Sequence, residues 1–134
     1  MTDLIFKILS PEDWDEAEKA GIYYGSEHDN RDGFMHFSTA AQLPETLRLH
    51  YSGAWAVVVV AVKATALGSA LRYEHSATRG EDFPHLYAPL DIIIDPAEGA
   101  TVAAAFVNVP STEQDFLQAW LKDLTAKEDA KNPL

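Results

Sequence analysis

Apolar and polar residues follow two rhythms along this chain, and the places where one gives way to the other mark its elements. Residues 4–9 are apolar but for one lysine and predict a first strand. Ser10-Pro11-Glu12-Asp13 then predicts a helix start. Serine is the N-cap, proline the first helical residue, and the acids lie where the helix dipole favours them. Trp14 and Ala17, three apart, form its inner face, and Gly21 ends it. Residues 22–26 predict a short extended piece. Residues 27–33 predict a polar loop with an Asp32-Gly33 turn. Residues 34–38 alternate, with Phe34, His36 and Ser38 on one side and Met35 and Phe37 on the other. Thr39 and Gln42 are spaced as a capping box for a helix reaching about Tyr51, with Leu43, Leu47 and His50 or Tyr51 on one face. Pro44 argues for a start later than Thr39.

Residues 55–62 are apolar on both faces and β-branched, which predicts a central strand covered on both sides. Further strands are predicted over 71–75, over 86–94 with a break near Pro89, and over 100–107, with a polar loop over 77–82 and a turn over 96–99. Ser111 and Gln114 predict another capping box, opening a helix with Phe116, Trp120 and Leu124 on its buried face. Strands in meander order mixed with helices indicate an α+β fold. The organisation expected is a single domain over residues 1–125 and a charged, frayed tail over 126–134.

Composition narrows the functions. A chain of 134 residues, 47% apolar, suits one domain with a proper core. There is no cysteine, so disulfides, thiolate catalysis and zinc ribbons are excluded, and a reducing cytoplasm is the expected location. With 21 acidic against 10 basic side chains the net charge is −11. Such a field opposes nucleic acid and anionic membranes, so neither is an expected partner. The start of the chain shows no basic, apolar leader pattern, and the longest apolar run, 54–62, is far too short to span a bilayer.

Five histidines stand at 28, 36, 50, 75 and 85, with no metal-ligand spacing, so no metal is expected. His36 lies on a strand that leads into a helix start, with Ser38 on its face. Two readings fit: donors gathered for a ligand phosphate or amide, or a buried histidine beside capping hydroxyls. Phe83-Pro84-His85-Leu86-Tyr87 either stacks and bonds a flat ring or is a strand entry with core aromatics. Glu74 is a general base or ribose ligand, or simply a solvated carboxylate. Tyr23, Tyr24 and Ser26 precede a loop that reads as a lid or as core packing. The acids at 12, 13, 15, 16 and 18 are a solvated helix face.

Together the motifs carry a resemblance. Ile5-Phe6-Lys7-Ile8, Trp14 with Ala17, Gly21-Ile22-Tyr23, Gly25-Ser26, the block from Asp32 to Thr39, Gln42, and Phe83-Pro84-His85-Leu86-Tyr87 resemble the bacterial domain of unknown function 952 family, over about residues 4–90. The resemblance implies an ADP-ribosyltransferase-like fold: a split mixed sheet with flanking helices and a cleft that holds NAD in active relatives. It also implies a small nucleotide-like ligand. His36 would contact ribose, the Phe37 backbone would pair with an amide, and Ser38 or Thr39 would support the strand. Phe83, Tyr87 or Tyr73 would stack a base, with Tyr23 nearby, and His85 or Glu74 would take the catalytic role. No glutamate matches the late catalytic position of those enzymes, since Glu74 comes early and Glu98 lies in a turn. The function implied is binding or cleavage of NAD or an ADP-ribose ligand, as a transferase or glycohydrolase. The alternative is a non-catalytic nucleotide-binding module on the same fold. Relatives that remove a 2′-phosphate from RNA fit this acidic chain poorly.

Overall fold

The computed structural model describes residues 3–108 and 114–131. The elements run β1 (Leu4–Leu9), α1 (Pro11–Ala20), β2 (Ile22–Tyr23), α2 (Glu27–Asp32), β3 (Met35–His36), α3 (Leu43–His50), β4 (Val57–Lys63), β5 (Leu71–Ser76), β6 (Glu81–Leu86), β7 (Leu90–Asp91), β8 (Val102–Asn108) and α4 (Gln114–Lys131). They form three small sheets ordered β1-β4-β8, β2-β7 and β3-β6-β5. The α+β class is as expected. All the strand pairs are antiparallel, so the mixed strand directions implied by the resemblance are not found among the described strands.

β4 is the central strand, buried along its length except at Lys63. Period-two alternation sends its side chains into two different cores. On one face Val57, Val59 and Ala61 join Leu4, Phe6 and Ile8 of β1 under α3 and α4, which contribute Leu43, Leu47, Leu117, Leu121 and Leu124. On the other, Val58, Val60 and Val62 join Ile5 and Leu9 against Ala17 of α1, Tyr23, Met35, Phe37 and Leu86. A sheet covered on both sides needs β-branched residues without polar relief, which is the composition of 57–62. No helix among the described residues is long and apolar enough to cross a membrane.

Several boundaries differ from the sequence reading, each for a physical reason. Residues 27–32 are a helix, because Ser26 and Asp29 form a reciprocal capping box and Gly33 ends the turn at φ 87°. The Asp32-Gly33 turn signal was the helix stop. Thr39 and Gln42 do bond reciprocally, but around a turn that precedes the helix, which starts at Leu43 with Pro44 in its first turn. Trp55 is 87% exposed and lies outside β4, which begins at Val57. The strand expected over 86–94 is instead β6, ending at Leu86, with the two-residue β7 beyond Pro89. The acids Glu81 and Asp82 disguised the start of β6, which was read as part of a polar loop with a strand entry after it. Pro84 is tolerated because β3 pairs only with Leu86 and His85, and the Pro84 carbonyl accepts from Phe37 N–H at 3.0 Å.

In α4 the buried face is carried by Leu117, Leu121 and Leu124 with a partly buried Trp120; the expected Ser111 cap and the Phe116 side chain lie outside the described residues. The helix also continues through 126–131, where charge suggested a tail, because Ala, Lys and Glu are good helix formers.

Leu47 is fully buried between α3 and the main sheet. Leu47→Ala should therefore lower the unfolding free energy by about 2–5 kcal/mol. Urea denaturation measures this; a loss below about 1 kcal/mol would mean that α3 does not seal that core.

Candidate functional site

β3 and the residues after it join two sheets. His36 pairs with His85 across β3 and β6. Phe37 N–H donates to Pro84, and Ser38 exchanges two backbone hydrogen bonds with Phe6 of β1, at 2.8 and 2.9 Å. This junction forms one wall of a cavity of about 410 Å³. α3 supplies another wall through Thr46 and His50, and the β5–β6 hairpin a third through Ser76, Arg79, Phe83 and His85.

Beneath the junction sits a buried ion pair. Lys7 Nζ lies 2.8 Å from Asp29 Oδ2, both side chains almost wholly buried. Asp29 also accepts from Ser26 N–H (2.9 Å), His36 N–H (3.1 Å) and His36 Nδ1 (2.6 Å). Lys7 donates onward to the His36 carbonyl at 3.0 Å. Burial pushes the Asp29 carboxyl up. The His36 bond, the Lys7 charge and bond, and Ser26 N–H together outweigh it and hold the group well below the usual carboxylate range. For Lys7 the balance falls the other way: burial lowers its pKa more than Asp29 raises it. Both directions have one origin, a pair taken out of water.

His36 is gripped from both ends. Its Nδ1 faces Asp29 and its Nε2 meets Asp32 Oδ2 at 2.9 Å. His85 is held differently. Its Nδ1 meets Glu74 Oε1 at 2.9 Å, and the same oxygen accepts from Tyr87 Oη at 2.6 Å. The Tyr87 bond and then the His85 bond lower the Glu74 pKa, and Glu74 in turn raises that of Tyr87. His85 Nε2 meets no partner among the described residues. Phe34 stacks on His85 with ring centroids 4.0 Å apart and tilts against His36 and Tyr87.

Of the residues singled out from sequence, His36, Phe37, Ser38, Phe83 and His85 line one cavity. Glu74 and Tyr87 stand behind His85 without lining it. Thr39 is turned toward Gln42. Tyr23 is a core residue of β2, its phenol pushed up by burial and by Asp29. Ser38 Oγ donates to Thr46 at 3.2 Å, tying the junction to α3.

Sequence reasoning missed Lys7, Asp29 and Arg79. A lysine at the centre of a strand buried on both faces must find a partner, and that was the available signal for Lys7. Ser26-x-x-Asp29 is a capping pattern, which would have placed Asp29 on a helix. Nothing local marks Arg79, which reaches the cavity from the hairpin turn, lies over the Phe83 ring at 4.7 Å and donates to Thr46 at 3.0 Å.

Asp29→Asn leaves Lys7 buried without its counter-charge, so it should destabilise the fold by roughly 3–5 kcal/mol in urea titrations at neutral pH. Because the folded-state pKa of Asp29 is lowered, its contribution is fully present above the unfolded value, near pH 4, and is lost as pH falls through the folded value. Melting curves should accordingly show a steep acid limb in the parent below about pH 4 and a shallower one in Asp29→Asn.

Comparison with known proteins places these features in a family. Residues 8–93 match the family described as protein of unknown function (DUF952). A crystal structure of protein CC0527 from Caulobacter crescentus is 35% identical, with a TM-score of 0.71, covering 86% of this chain and 98% of that one. A solution NMR structure of CC0527 is 38% identical, with a TM-score of 0.65, covering 78% and 84%. No curated protein matches. The family description and those structures' names say nothing of ADP-ribose transfer or NAD. Of the motifs that carried the resemblance, those from Trp14 to Tyr87 fall within the matched region and the first, residues 5–8, reaches it only at Ile8; this chain belongs to the DUF952 family.

Proposed function

We propose that the cleft binds a small anionic ligand with a flat ring, of the NAD or ADP-ribose class. One observation carries this. In a chain of net charge −11, the cavity gathers Lys7, Arg79 and four of the five histidines, and the only acid among the described residues that line it is Asp29, which Lys7 neutralises. A recess that offers the Arg79 guanidinium and imidazole edges, with its acid already paired, suits an anion better than the acidic surface around it. Arg79 donates to Thr46 at 3.0 Å and to the Gln42 carbonyl at 3.5 Å and pairs loosely with Glu81 at 4.0 Å, so a phosphate would compete with weakly held partners for its guanidinium. Phe83 adds an aromatic wall for a ring, and His36 with the Ser38 segment supplies polar edges for ribose. Thermal shift and calorimetry with NAD, NADP, ADP-ribose and nicotinamide test the reading. ADP-ribose or NAD should raise Tm, and Arg79→Met, which keeps the apolar stem, should weaken binding about 10- to 100-fold by removing a charge-assisted contact. No shift with any of the four ligands would end this reading.

A second reading, in which the ligand is also cleaved, rests on the His85–Glu74 pair. Glu74 holds Nδ1 and leaves Nε2 as a proton acceptor at the cavity, the relation by which a carboxylate orients a catalytic histidine. His85 would then take the proton of the acceptor's nucleophilic O–H or N–H as that atom bonds to the ribose C1′ and nicotinamide leaves as a neutral molecule with the electron pair of the broken C1′–N bond. Glu74→Gln should leave ligand affinity within about threefold but reduce nicotinamide release by about 100-fold or more. Equal rates in the two proteins would leave a binding module alone.

A further inference from the structure

We propose that His28, Asp32 and His36 form a binding site for a first-row divalent transition metal at the mouth of the cavity. The inference is independent of the nucleotide reading. Residues 28 and 32 lie one turn apart on α2, and β3 brings 36 back alongside them. Ligand atoms of all three fall within 4.8 Å of one another. Asp32 Oδ2 lies 2.9 Å from His36 Nε2 and 3.6 Å from His28 Nε2. Bonds of about 2.0–2.2 Å to one tetrahedral ion would put such atoms about 3.3 Å apart, between the two observed separations.

The arrangement behind His36 is the stronger observation. A metal-binding histidine commonly donates its other nitrogen to a carboxylate, which fixes the ring and raises its basicity. Here Asp29 Oδ1 accepts from Nδ1 at 2.6 Å while Lys7 anchors Asp29 from the other side, so Nε2 is aimed outward by buried groups. His28 and His36 both line the cavity, so a bound ion would offer its remaining coordination positions there. Two imidazoles and one carboxylate favour zinc, cobalt or nickel over magnesium or calcium, which prefer all-oxygen shells.

One movement is required. The His28 ring is stacked on His36 with centroids 4.6 Å apart, and its Nδ1 meets Arg31 at 2.9 Å. Convergence of both Nε2 lone pairs needs the His28 ring to turn and Arg31 to release it. Both side chains are exposed on α2, so apart from the His36 stack and the Arg31 contact the ring is open to solvent and can turn.

The test titrates the full chain with Co²⁺, read by its visible absorption, and with Zn²⁺ by calorimetry, with Mg²⁺ as the hard-cation control. The expected result is one Co²⁺ per chain with ligand-field bands stronger than those of the free ion. His28→Ala and Asp32→Asn should each weaken Zn²⁺ at least about tenfold, while His75→Ala leaves it unchanged. His28 and Asp32 are exposed, and circular dichroism confirms that each variant folds. No binding, equal affinity for Mg²⁺, or unchanged Zn²⁺ affinity in both His28→Ala and Asp32→Asn would overturn the site.

Discussion

The candidate site depends on a charge pair that water does not reach. Lys7 interrupts an otherwise apolar strand, and Asp29 sits in a helix of six residues, too short to persist alone. Neither is stable in a core by itself, since an isolated buried ion meets a desolvation cost of several kcal/mol. Together they are satisfied, and the geometry that satisfies them is narrow. Asp29 must face Lys7, close the cap at Ser26 and receive both the backbone and ring N–H of His36. One carboxylate therefore fixes where α2 begins, how β1 faces it and which way the His36 ring points. A hydrophobic replacement could match its volume but would orient none of these groups.

That arrangement explains what the sequence made legible. Elements whose logic is local were readable: the β1 run, the Ser10 cap with Pro11 and the Gly21 stop, and the β-branched centre of β4. The alternation from Phe34 to Ser38 was also readable, and it correctly put Phe34 and His36 on one side, where their rings meet. Elements whose logic is tertiary were not. α2 is polar nearly throughout and has no apolar stripe to announce it. β6 opens with two acids and contains a proline, so it looks like a loop until Phe37 is seen to take the proline carbonyl. Among the site residues, rings and histidines in motifs were found. Lys7, Asp29 and Arg79 were not, because what makes each of them matter lies more than twenty residues away, on a different element.

The distribution of charge adds a second constraint. Acids dominate the chain as a whole, and the exposed face of α1 alone carries a dense share of them. Lys7, Arg79 and four of the five histidines meet in one recess. Buried cations in an acidic protein gain from the surrounding field, which partly offsets their desolvation. Fold and site thus share an electrostatic design, in which an acidic surface surrounds a recess that holds Lys7 and Arg79.

The junction after His36 has a mechanical consequence. Phe37 is bonded to the hairpin sheet and Ser38 to the central sheet, so neighbouring residues answer to different sheets. The two walls are coupled through a single peptide unit, about 3.8 Å from one Cα to the next. A recess built this way behaves as a joint with almost no play. Between these two walls the spacing is set by covalent geometry, while the α3 wall is held by side-chain bonds to Thr46. Selectivity for ligand size would then be inherited from the backbone, and substitution of lining residues would retune its chemistry without resizing it.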